Sequence, residues 1–310
     1  MTKLVAISVA LFVACGGSQD TASTDPIGDT PIADEPVADE PVADEPVADE
    51  PAPPAEETTK HVSIDDVQWE ALDPEAGDKG PMAGQLWGDK AEGASWFLVK
   101  APAKFPGAPH VHTNDYRGVV ISGEIHNDKA KVKKKTYMKA GSFWSEPGGR
   151  AHITSCKTEC MALVSFDGAF DFLPATETGD SPSGMTGANT LAASRKWMNP
   201  PGTPEGQDSP VKLSMAWGDP TDGEPNAFFV KIPAGVDVGM HKHTSDYHAV
   251  VIQGRQRHWE PGGDVVVSTP GSYFWQKGGT PHNDGCEAGA DCVIYVTMEG
   301  VTDMTPVAAK

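Results

Sequence analysis

The sequence HVHTNDY at residues 110–116 recurs 131 positions later as HKHTSDY at residues 241–247. A second segment, EPGGRAHITSC at residues 146–156, returns 130 positions later as QKGGTPHNDGC at residues 276–286. Further matches at a nearly constant offset extend each repeat to the length of a small domain. A chain of 310 residues is also too long for one ordinary core. The sequence therefore predicts a tandem duplication that forms two domains.

Each repeat has the composition of β-strands joined by turns. Short runs of Val, Ile, Phe, Trp and Tyr are broken at close intervals by Gly, Pro, Asn and Asp, and no long stretch has a helical period. We expect strands at 117–122, 142–146, 161–166, 249–253, 265–268 and 293–298. The fold class is therefore all-β, and domains of this size fit the double-sheet jelly rolls.

Histidines in the repeated segments have the spacing of metal ligands. Two residues of a His-x-His pair point to the same side of a strand, and a third histidine arrives from a separate segment. Three neutral imidazoles leave coordination positions open on a divalent ion. The predicted ligands are His110, His112 and His152 in the first repeat and His241, His243 and His282 in the second. Buried, hydrogen-bonded core histidines are the alternative.

The two segments resemble the conserved motifs of the cupin family. One motif is Gly, five residues, His-x-His, then Glu and Gly, and the other is Gly, Pro-x-Gly and His. The matching positions are His110, His112, Tyr116, Gly123, Gly141, Pro147, Gly149 and His152, and Gly235, His241, His243, Tyr247, Gly254, Gly271, Gly279 and His282. This resemblance implies two tandem cupin (double-stranded β-helix, jelly-roll) barrels, as in bicupins. It also implies a divalent metal ion such as zinc, iron, manganese or nickel.

The chain departs from the cupin pattern at a few positions. Tyr116 and Tyr247 stand where the family has glutamate, and strand alternation points both inward. A neutral phenol is a poor ligand, so we predict that these tyrosines are catalytic hydrogen-bond donors that orient substrate or bound oxygen. A tyrosine that only fills the barrel is the alternative. Lys104 replaces a motif glycine, and Lys277 replaces the motif proline.

Other candidate residues have weaker signals. Arg117 and His248 follow the tyrosines and should point out of the barrels. His126 and His258 match no metal position, and we expect them at the surface or at strand edges. Several aromatic residues near the motifs could line a binding cavity, although core packing is their commoner role. They are Phe97, Phe143, Trp144, Phe228, Phe274 and Trp275.

The N-terminal residues have the pattern of an export signal. Residues 1–15 contain Lys3, a short apolar run and Cys15, and this run is too short to cross a bilayer as a permanent helix. The segment before Cys15 resembles a lipobox, so we predict lipidation of Cys15 and an exported, lipid-anchored protein, with a preference for the outer membrane because Gly16 is not Asp. A plain signal peptide cut after Ala14 is the alternative.

An acidic, proline-rich segment separates the signal from the repeats. Residues 16–60 carry thirteen Asp or Glu and one Lys, so they account for −12 of the formal charge of −20. Such a segment cannot bury a core, and we expect a disordered, extended stalk; a solubilising tail is the alternative. Its charge argues against nucleic acid as a partner. The predicted cupin domains are 61–174 and 194–304, joined by a linker at 175–193.

The cysteines beyond Cys15 form two close pairs, Cys156 with Cys160 and Cys286 with Cys292. In an exported protein we expect two local disulfides. Metal binding by these cysteines is the competing interpretation.

The resemblance leaves the reaction open, because cupins include dioxygenases, isomerases, decarboxylases and proteins that only bind ligands. The hypotheses are a metal-dependent oxygenase or hydrolase, a non-catalytic metal or small-ligand binding lipoprotein, and a structural surface protein. The expected partners are a small-molecule ligand and, through the lipid anchor alone, a membrane. Whether the chain forms a homodimer is left open.

Overall fold

The computed structural model describes residues 57–176, 181 and 183–308. These residues form β-strands and three short 3₁₀ helices, and no α-helix occurs among them. The all-β prediction is therefore confirmed. The signal peptide, Cys15 and nearly all of the acidic segment lie outside the described residues, as does part of the predicted linker.

Strands of the first half are β1 (Thr59–Val62), β2 (Trp69–Ala71), β3 (Met82–Gly88), β4 (Ser95–Ala101), β5 (His110–Val111), β6 (Tyr116–Ser122), β7 (Ile125–Lys129), β8 (Phe143–Glu146), β9 (His152–Cys156), β10 (Cys160–Phe166), β11 (Leu173–Pro174) and β12 (Ala188–Thr190). Strands of the second half are β13 (Lys212–Trp217), β14 (Asn226–Ile232), β15 (His241–Lys242), β16 (Tyr247–Gln253), β17 (Gln256–Trp259), β18 (Val266–Ser268), β19 (Tyr273–Gln276), β20 (Asn283–Cys286), β21 (Cys292–Met298) and β22 (Thr305–Pro306). The 3₁₀ helices are Ile64–Asp66, Gly77–Lys79 and Ala192–Ser194.

The strands form two barrels of the same design. In the first barrel a seven-stranded sheet, ordered β12-β8-β6-β10-β4-β3-β2, is combined with a four-stranded sheet, ordered β11-β5-β9-β7. In the second barrel a six-stranded sheet, ordered β1-β19-β16-β21-β14-β13, is combined with the smaller sheets β15-β22 and β18-β17-β20. The predicted strands coincide with β6, β8, β10, β16, β18 and β21 to within two residues.

One strand of the first half belongs to the second barrel. The N-terminal β1 pairs with β19 of the second barrel, from Thr59 opposite Gln276 to Val62 opposite Tyr273. Strand β12, from the predicted linker, pairs with β8 of the first barrel. The backbone N–H of Lys277 donates to Thr58 O at 2.9 Å. A proline at position 277 would lack this donor, which accounts for the departure from the motif.

A shared core joins the barrels. Along β6, Tyr116 and Val120 face the interior of the first barrel, whereas Val119 and Ile121 pack with residues of the second half. The contributors from the other side include Phe229, Val250, Ile252, Tyr273 and Tyr295. Both faces of the large sheets are therefore buried, which explains why β6 and β16 are apolar without interruption at their centres.

Arg117 and His248 point away from the barrel interiors, as strand alternation predicts, and they lie at the interface between the barrels. The Arg117 guanidinium lies 4.2 Å from the ring of Trp217, and the His248 ring lies 4.9 Å from the ring of Trp87. His126 lies on β7, an edge strand of its sheet, but the surface position expected for it is wrong: its side chain is fully buried, and its Nδ1 lies 3.0 Å from Thr136 O. Polar partners inside the barrel wall, which the motif spacing does not reveal, account for the difference.

Two disulfides connect strands that are successive in sequence but belong to different sheets. They are Cys156–Cys160 between β9 and β10 and Cys286–Cys292 between β20 and β21. The predicted pairing of the cysteines is confirmed. In the part of the chain that the structure describes, no helix has the length and apolar character needed to span a membrane.

Lys104 stands where the cupin motif has a glycine, so it tests whether backbone conformation is the reason for the glycine. Its φ is 63°, in the left-handed region, and Gly235 has the same role in the second barrel with a φ of 76°. An L side chain in this region costs about 1–2 kcal/mol relative to a right-handed residue. We therefore expect Lys104→Gly to raise the free energy of unfolding by about 0.5–1 kcal/mol, measured by urea denaturation.

The matched control is Gly235→Ala. A Cβ at Gly235 would meet no atom within 4 Å, so its effect reports backbone strain without a clash. The free energy of unfolding should fall by about 1 kcal/mol. Equal stability of all three proteins would contradict this account.

Candidate metal centres

The three predicted histidines of each barrel meet inside it. His110 on β5 lies opposite His152 on β9, and His241 lies opposite His282 across a bridge with two backbone hydrogen bonds of 2.8 Å. Cross-strand pairing therefore brings together residues that are about forty positions apart in sequence. In each group the candidate ligand atoms lie within 4.8 Å of one another.

The two groups have nearly the same geometry. In the first barrel the ring centroids are separated by 4.2 Å (His110–His152), 4.9 Å (His110–His112) and 5.2 Å (His112–His152). The corresponding separations in the second barrel are 4.3, 5.0 and 5.2 Å. Two copies that differ in most other residues have kept one arrangement of three imidazoles.

Backbone carbonyls orient all six imidazoles. In every case Nδ1 lies within hydrogen-bond distance of a carbonyl oxygen, which can only accept, so Nδ1 carries the proton. The acceptors are Ala108, Asp171 and Arg150 for His110, His112 and His152, and Gly239, Asp303 and Thr280 for His241, His243 and His282. Each Nε2 is left as a lone-pair donor, which is the form that binds a metal ion.

Burial favours the neutral form of His112, His152, His243 and His282. It lowers the pKa of His112 to about 4 and that of His152 to about 2, with a further contribution from His110. Burial also lowers the pKa of His282 to about 3 and lowers the pKa of His243. Neutral imidazoles with free Nε2 atoms fit a divalent ion, because ligation requires the unprotonated nitrogen.

Two aspartates outside the cupin motifs, Asp171 and Asp303, hold the loops beside the histidines. The Asp171 and Asp303 side chains accept the backbone N–H of Thr113 and Thr244 at 2.9 and 2.8 Å. Asp171 and Asp303 stand at equivalent places at the ends of the two repeats. This repetition could have predicted their shared role from the sequence. They fix the strand end that carries the second histidine of each pair.

Tyr116 and Tyr247 point inward, where alternation places them. The Tyr116 hydroxyl lies 3.1 Å from His152 Nε2 and 3.2 Å from Asn127 Oδ1, and the Tyr247 hydroxyl lies 3.2 Å from His282 Nε2 and 2.9 Å from Gln276 Oε1. Burial raises the pKa of both phenols above their usual value of 10. Both therefore remain neutral hydrogen-bond donors.

The second barrel has an additional partly buried carboxylate beside its histidines. Asp284 Oδ2 lies 3.5 Å from His282 Nε2 and 3.8 Å from His241 Nε2. Burial acts to raise the pKa of this carboxyl, but the hydrogen bond from His258 and the nearby imidazoles bring it below its usual range. The edge position expected for His258 is wrong, because its ring is buried against Asp284 and His282.

Strand alternation could have predicted from the sequence that Asp284 points into the barrel. His282 and Asp284 are two residues apart at the start of β20, so both point into the barrel. Asp284 is not predicted from the motifs, because the cupin motifs have no acidic residue at this position. Thr154 occupies the equivalent place in the first barrel.

The first barrel contains a large apolar cavity that reaches its histidines. Its volume is about 630 Å³, within the range of small-molecule pockets, and its lining includes His110, His112 and Tyr116. Aromatic residues supply much of the wall: Phe97, Phe105, Trp144, Phe166, Phe170 and Phe172. Of the six aromatic residues considered from sequence, Phe97 and Trp144 line this cavity, whereas Phe143 packs in the core between the barrels.

The second barrel has a much smaller cavity of about 90 Å³. The strand registers explain the difference, because Ala101 and Ala162 of the first barrel are equivalent to Ile232 and Ile294 of the second. All four line their cavities, so two isoleucines fill the space that two alanines leave open. Phe228 and Phe274 line the smaller cavity, whereas Trp275 packs against the core between the barrels.

Comparisons with known proteins agree with this architecture. Residues 60–304 match the family described as Domain of unknown function (DUF4437). Solved structures of Bacillus subtilis oxalate decarboxylase are similar: a serine-to-alanine variant has a TM-score of 0.56 and a structure at pH 4.6 has one of 0.54, each at 12% identity. These matches cover 82% of this chain and 80% and 79% of the other. They show the bicupin fold alone. Comparison with curated protein sequences gives no significant match.

Metal stoichiometry tests the two groups separately. We expect the full chain to bind two divalent ions, and His110→Ala and His241→Ala to remove one each, because each substitution deletes one of three ligands. Elemental analysis after removal of unbound metal provides the measurement. His248→Gln is the control, because His248 contacts Tyr273 and Glu299 rather than the metal-facing atoms. Two ions retained by His241→Ala would contradict the assignment.

Lowered pKa values predict the acid sensitivity of the metal-free protein. Between pH 6.5 and about 4 the unfolded chain protonates at His112 while the folded chain does not, so the free energy of unfolding falls as the pH falls. One such histidine contributes about 1.4 kcal/mol per pH unit. Urea denaturation at several pH values should show a shallower slope for His112→Gln than for the unmodified chain. Identical slopes would contradict the burial of a neutral His112.

Proposed function

The chain belongs to the family described as Domain of unknown function (DUF4437), and because membership brings no activity with it, we propose a function from the two sites. The protein is a metal-binding bicupin whose first barrel binds a small, largely apolar molecule beside a divalent ion and transforms it as an oxygenase or hydrolase. The second barrel binds a metal ion without accommodating a substrate.

One observation carries this proposal: the cavity of about 630 Å³ in the first barrel reaches His110, His112 and Tyr116. A pocket of this size, with apolar walls and few polar groups, is typical of a ligand site. The second barrel, at about 90 Å³, has the same three-histidine group but no comparable room. Shared metal geometry with different cavities therefore supports different roles for the two barrels.

In the first barrel His110, His112 and His152 would hold the ion through Nε2. A divalent ion there supplies Lewis acidity and can activate water or dioxygen. The protein fixes the ligand orientation in advance, because each Nδ1 already donates to a backbone carbonyl. Such preorganisation limits the rearrangement needed when an ion binds.

The remaining polar residues of the first site position Tyr116. Its hydroxyl lies 3.2 Å from Asn127 Oδ1, and Asn127 Nδ2 donates to Glu146 Oε2 at 3.0 Å. Glu146 in turn accepts from Arg150 Nε at 2.6 Å. This chain of hydrogen bonds holds a neutral phenol at the cavity wall. Its single proton, which is donated to Asn127 Oδ1, would have to turn from Asn127 to an oxygen of a bound molecule.

Phe172 lines the cavity and is exposed to solvent. Its ring stacks on His110 with centroids 4.3 Å apart, although 59% of the residue is exposed to solvent. An exposed aromatic ring beside a metal-facing imidazole offers a stacking surface to a flat ligand. The proposal therefore favours small aromatic or otherwise planar apolar molecules.

Capture without turnover is the second candidate function. It is favoured by the cavity lining, in which the ionisable groups besides the histidines and Tyr116 are Asp73 and Lys79. Neither is part of the hydrogen-bonded chain around Tyr116, so among the described residues of the cavity lining no carboxylate is placed beside Tyr116 as a general base. Under this alternative the protein binds the same class of molecule and releases it unchanged.

We also propose that the protein is exported and anchored through Cys15. The two disulfides support an oxidising compartment, and the N-terminal sequence supports lipidation. A small molecule is the partner that this function requires.

Filling the first cavity tests the proposal. Ala162→Ile gives the first barrel the residue found at position 294 of the second, and it should weaken the binding of small aromatic probes by at least about tenfold through steric exclusion. The probes are phenol, catechol and an aromatic β-diketone, measured by calorimetry on metal-loaded protein. Oxygen uptake by the iron-loaded protein with each probe distinguishes turnover from capture.

Two controls accompany this experiment. Metal content should be unchanged in Ala162→Ile, since Ala162 is not one of the three candidate ligands of the first barrel, and Ile294→Ala in the second barrel should leave probe binding in the first unaffected. Probe affinity that is equal in Ala162→Ile and the unmodified chain would refute the cavity as the ligand site.

A further inference from the structure

We propose that Asp284 is an anionic ligand to the metal ion of the second barrel, which makes this site a three-histidine, one-aspartate centre while the first remains neutral. The carboxylate comes from β20, the strand that follows the third histidine, and not from the position of Tyr247 where the cupin motif has its glutamate. This inference rests on the proposed metal binding and adds a distinction between the barrels.

Distances place the carboxylate within reach of a shared ion. Two ligand atoms bound at about 2.1 Å to one ion can be at most about 4.2 Å apart. Asp284 Oδ2 lies 3.5 Å from His282 Nε2 and 3.8 Å from His241 Nε2, so both pairs satisfy this limit. These three atoms can therefore share one ion with little movement. The ligand atoms that all lie within 4.8 Å of one another are those of His241, His243 and His282, so ligation by all four residues requires the carboxylate to move toward His243.

Hydrogen bonds select Oδ2 as the metal-facing oxygen. In the described part of the chain, the donors that contact the Asp284 carboxylate are Gln256 Nε2, at 2.7 Å, and His258 Nδ1, at 3.0 Å, and both reach Oδ1. Oδ2 is left facing the Nε2 lone pairs of His241 and His282. Lone pairs that face one another without an intervening proton form a site for a cation.

A chain of side chains fixes the direction of these hydrogen bonds. The Tyr247 hydroxyl donates to Gln276 Oε1 at 2.9 Å, so Gln276 Nε2 is the donor to Thr59 Oγ1, at 3.0 Å, and to His258 Nε2, at 3.3 Å. His258 therefore accepts at Nε2 and donates from Nδ1 to Asp284. The same direction leaves His282 Nε2 without a proton from Tyr247, which keeps it available to an ion.

Strand β1, which pairs with the second barrel, contributes to this arrangement. Thr59 lies on β1, at the N-terminal end of the described chain, and Gln276 lies opposite it on β19. The amide of the buried Gln276 is thus held by residues from both halves of the sequence. The orientation of Asp284 depends on β1 being paired with the second barrel.

The first barrel has no carboxylate at the position equivalent to Asp284, and its buried Glu146 lies 3.8 Å from His152 Nδ1, on the far side of the ring from Nε2, and is paired with Arg150. Thr154 occupies the position of Asp284 and Asn127 that of His258, and Thr154 Oγ1 donates to Asn127 Oδ1 at 2.5 Å. With three neutral imidazoles, the metal site keeps the full positive charge of its ion. A carboxylate ligand lowers the net charge of the site and adds a hard oxygen ligand. The second barrel should therefore bind its ion more tightly and accept Mn²⁺ more readily than the first.

Metal titration of the full-length, metal-free chain tests this inference. Calorimetry with Mn²⁺ should resolve a tighter and a weaker site, and Asp284→Asn should weaken the tighter one by at least about 10- to 100-fold. Asparagine keeps an oxygen for Gln256 and His258 but removes the negative charge. His110→Ala should abolish the weaker site and leave the tighter one unchanged.

A second readout separates ligation from a structural role. The loss of affinity on Asp284→Asn should be larger for Mn²⁺ than for Zn²⁺, because Mn²⁺ favours oxygen ligands, and the electron paramagnetic resonance spectrum of bound Mn²⁺ should change. A general loosening of the barrel would weaken both ions alike. The double variant Asn127→His with Thr154→Asp transfers the pair to the first barrel and should tighten its site for Mn²⁺.

The outcomes distinguish this inference from the proposed function. If the unmodified chain binds no divalent ion, metal binding itself fails. If it binds ions that His241→Ala releases, while Asp284→Asn changes neither Mn²⁺ affinity nor the spectrum, the proposed function stands and Asp284 is not a ligand.

Discussion

The hydrogen bond from each imidazole Nδ1 to a backbone carbonyl is the interaction on which the two sites depend. A backbone oxygen cannot donate, so it fixes both the tautomer and the orientation of the ring. Because the carbonyls belong to β-strands and the loops beside them, the barrel itself directs six Nε2 atoms inward. Burial lowers the pKa of His112 and of His282, which favours their neutral form. The fold thus prepares the ligands before any ion binds.

Duplication of this scaffold has allowed the two barrels to diverge around a constant centre. The ring separations agree to within 0.1 Å, yet one cavity is about 630 Å³ and the other about 90 Å³. Substitution of Ala162 by isoleucine at the equivalent position 294 changes the available space, and substitution of Thr154 by aspartate at position 284 changes the charge. Neither pair alters the backbone that carries the histidines. Space and charge therefore vary independently of metal geometry.

The barrels are also mechanically dependent on each other. β1 completes the second barrel and β12 completes the first, while Val119 and Val250 pack in a common core. Burial of both faces of the large sheets leaves one side for the cavity and the other for the partner barrel. A substitution at the interface can consequently affect either site without contacting it.

By itself, the sequence determined the all-β class, the duplication, the disulfide pairs and the histidines that meet in each barrel, because strand alternation and motif spacing are local properties. Alternation also placed Tyr116 and Tyr247 inside. It could not place His258 beside Asp284, nor bring Thr59 to Gln276, because those contacts depend on which strands become neighbours. The difference between the cavities likewise required the registers that align Ala162 with Ile294. Tertiary structure decided these features, since sheet order and side-chain volume act between segments that the sequence keeps apart.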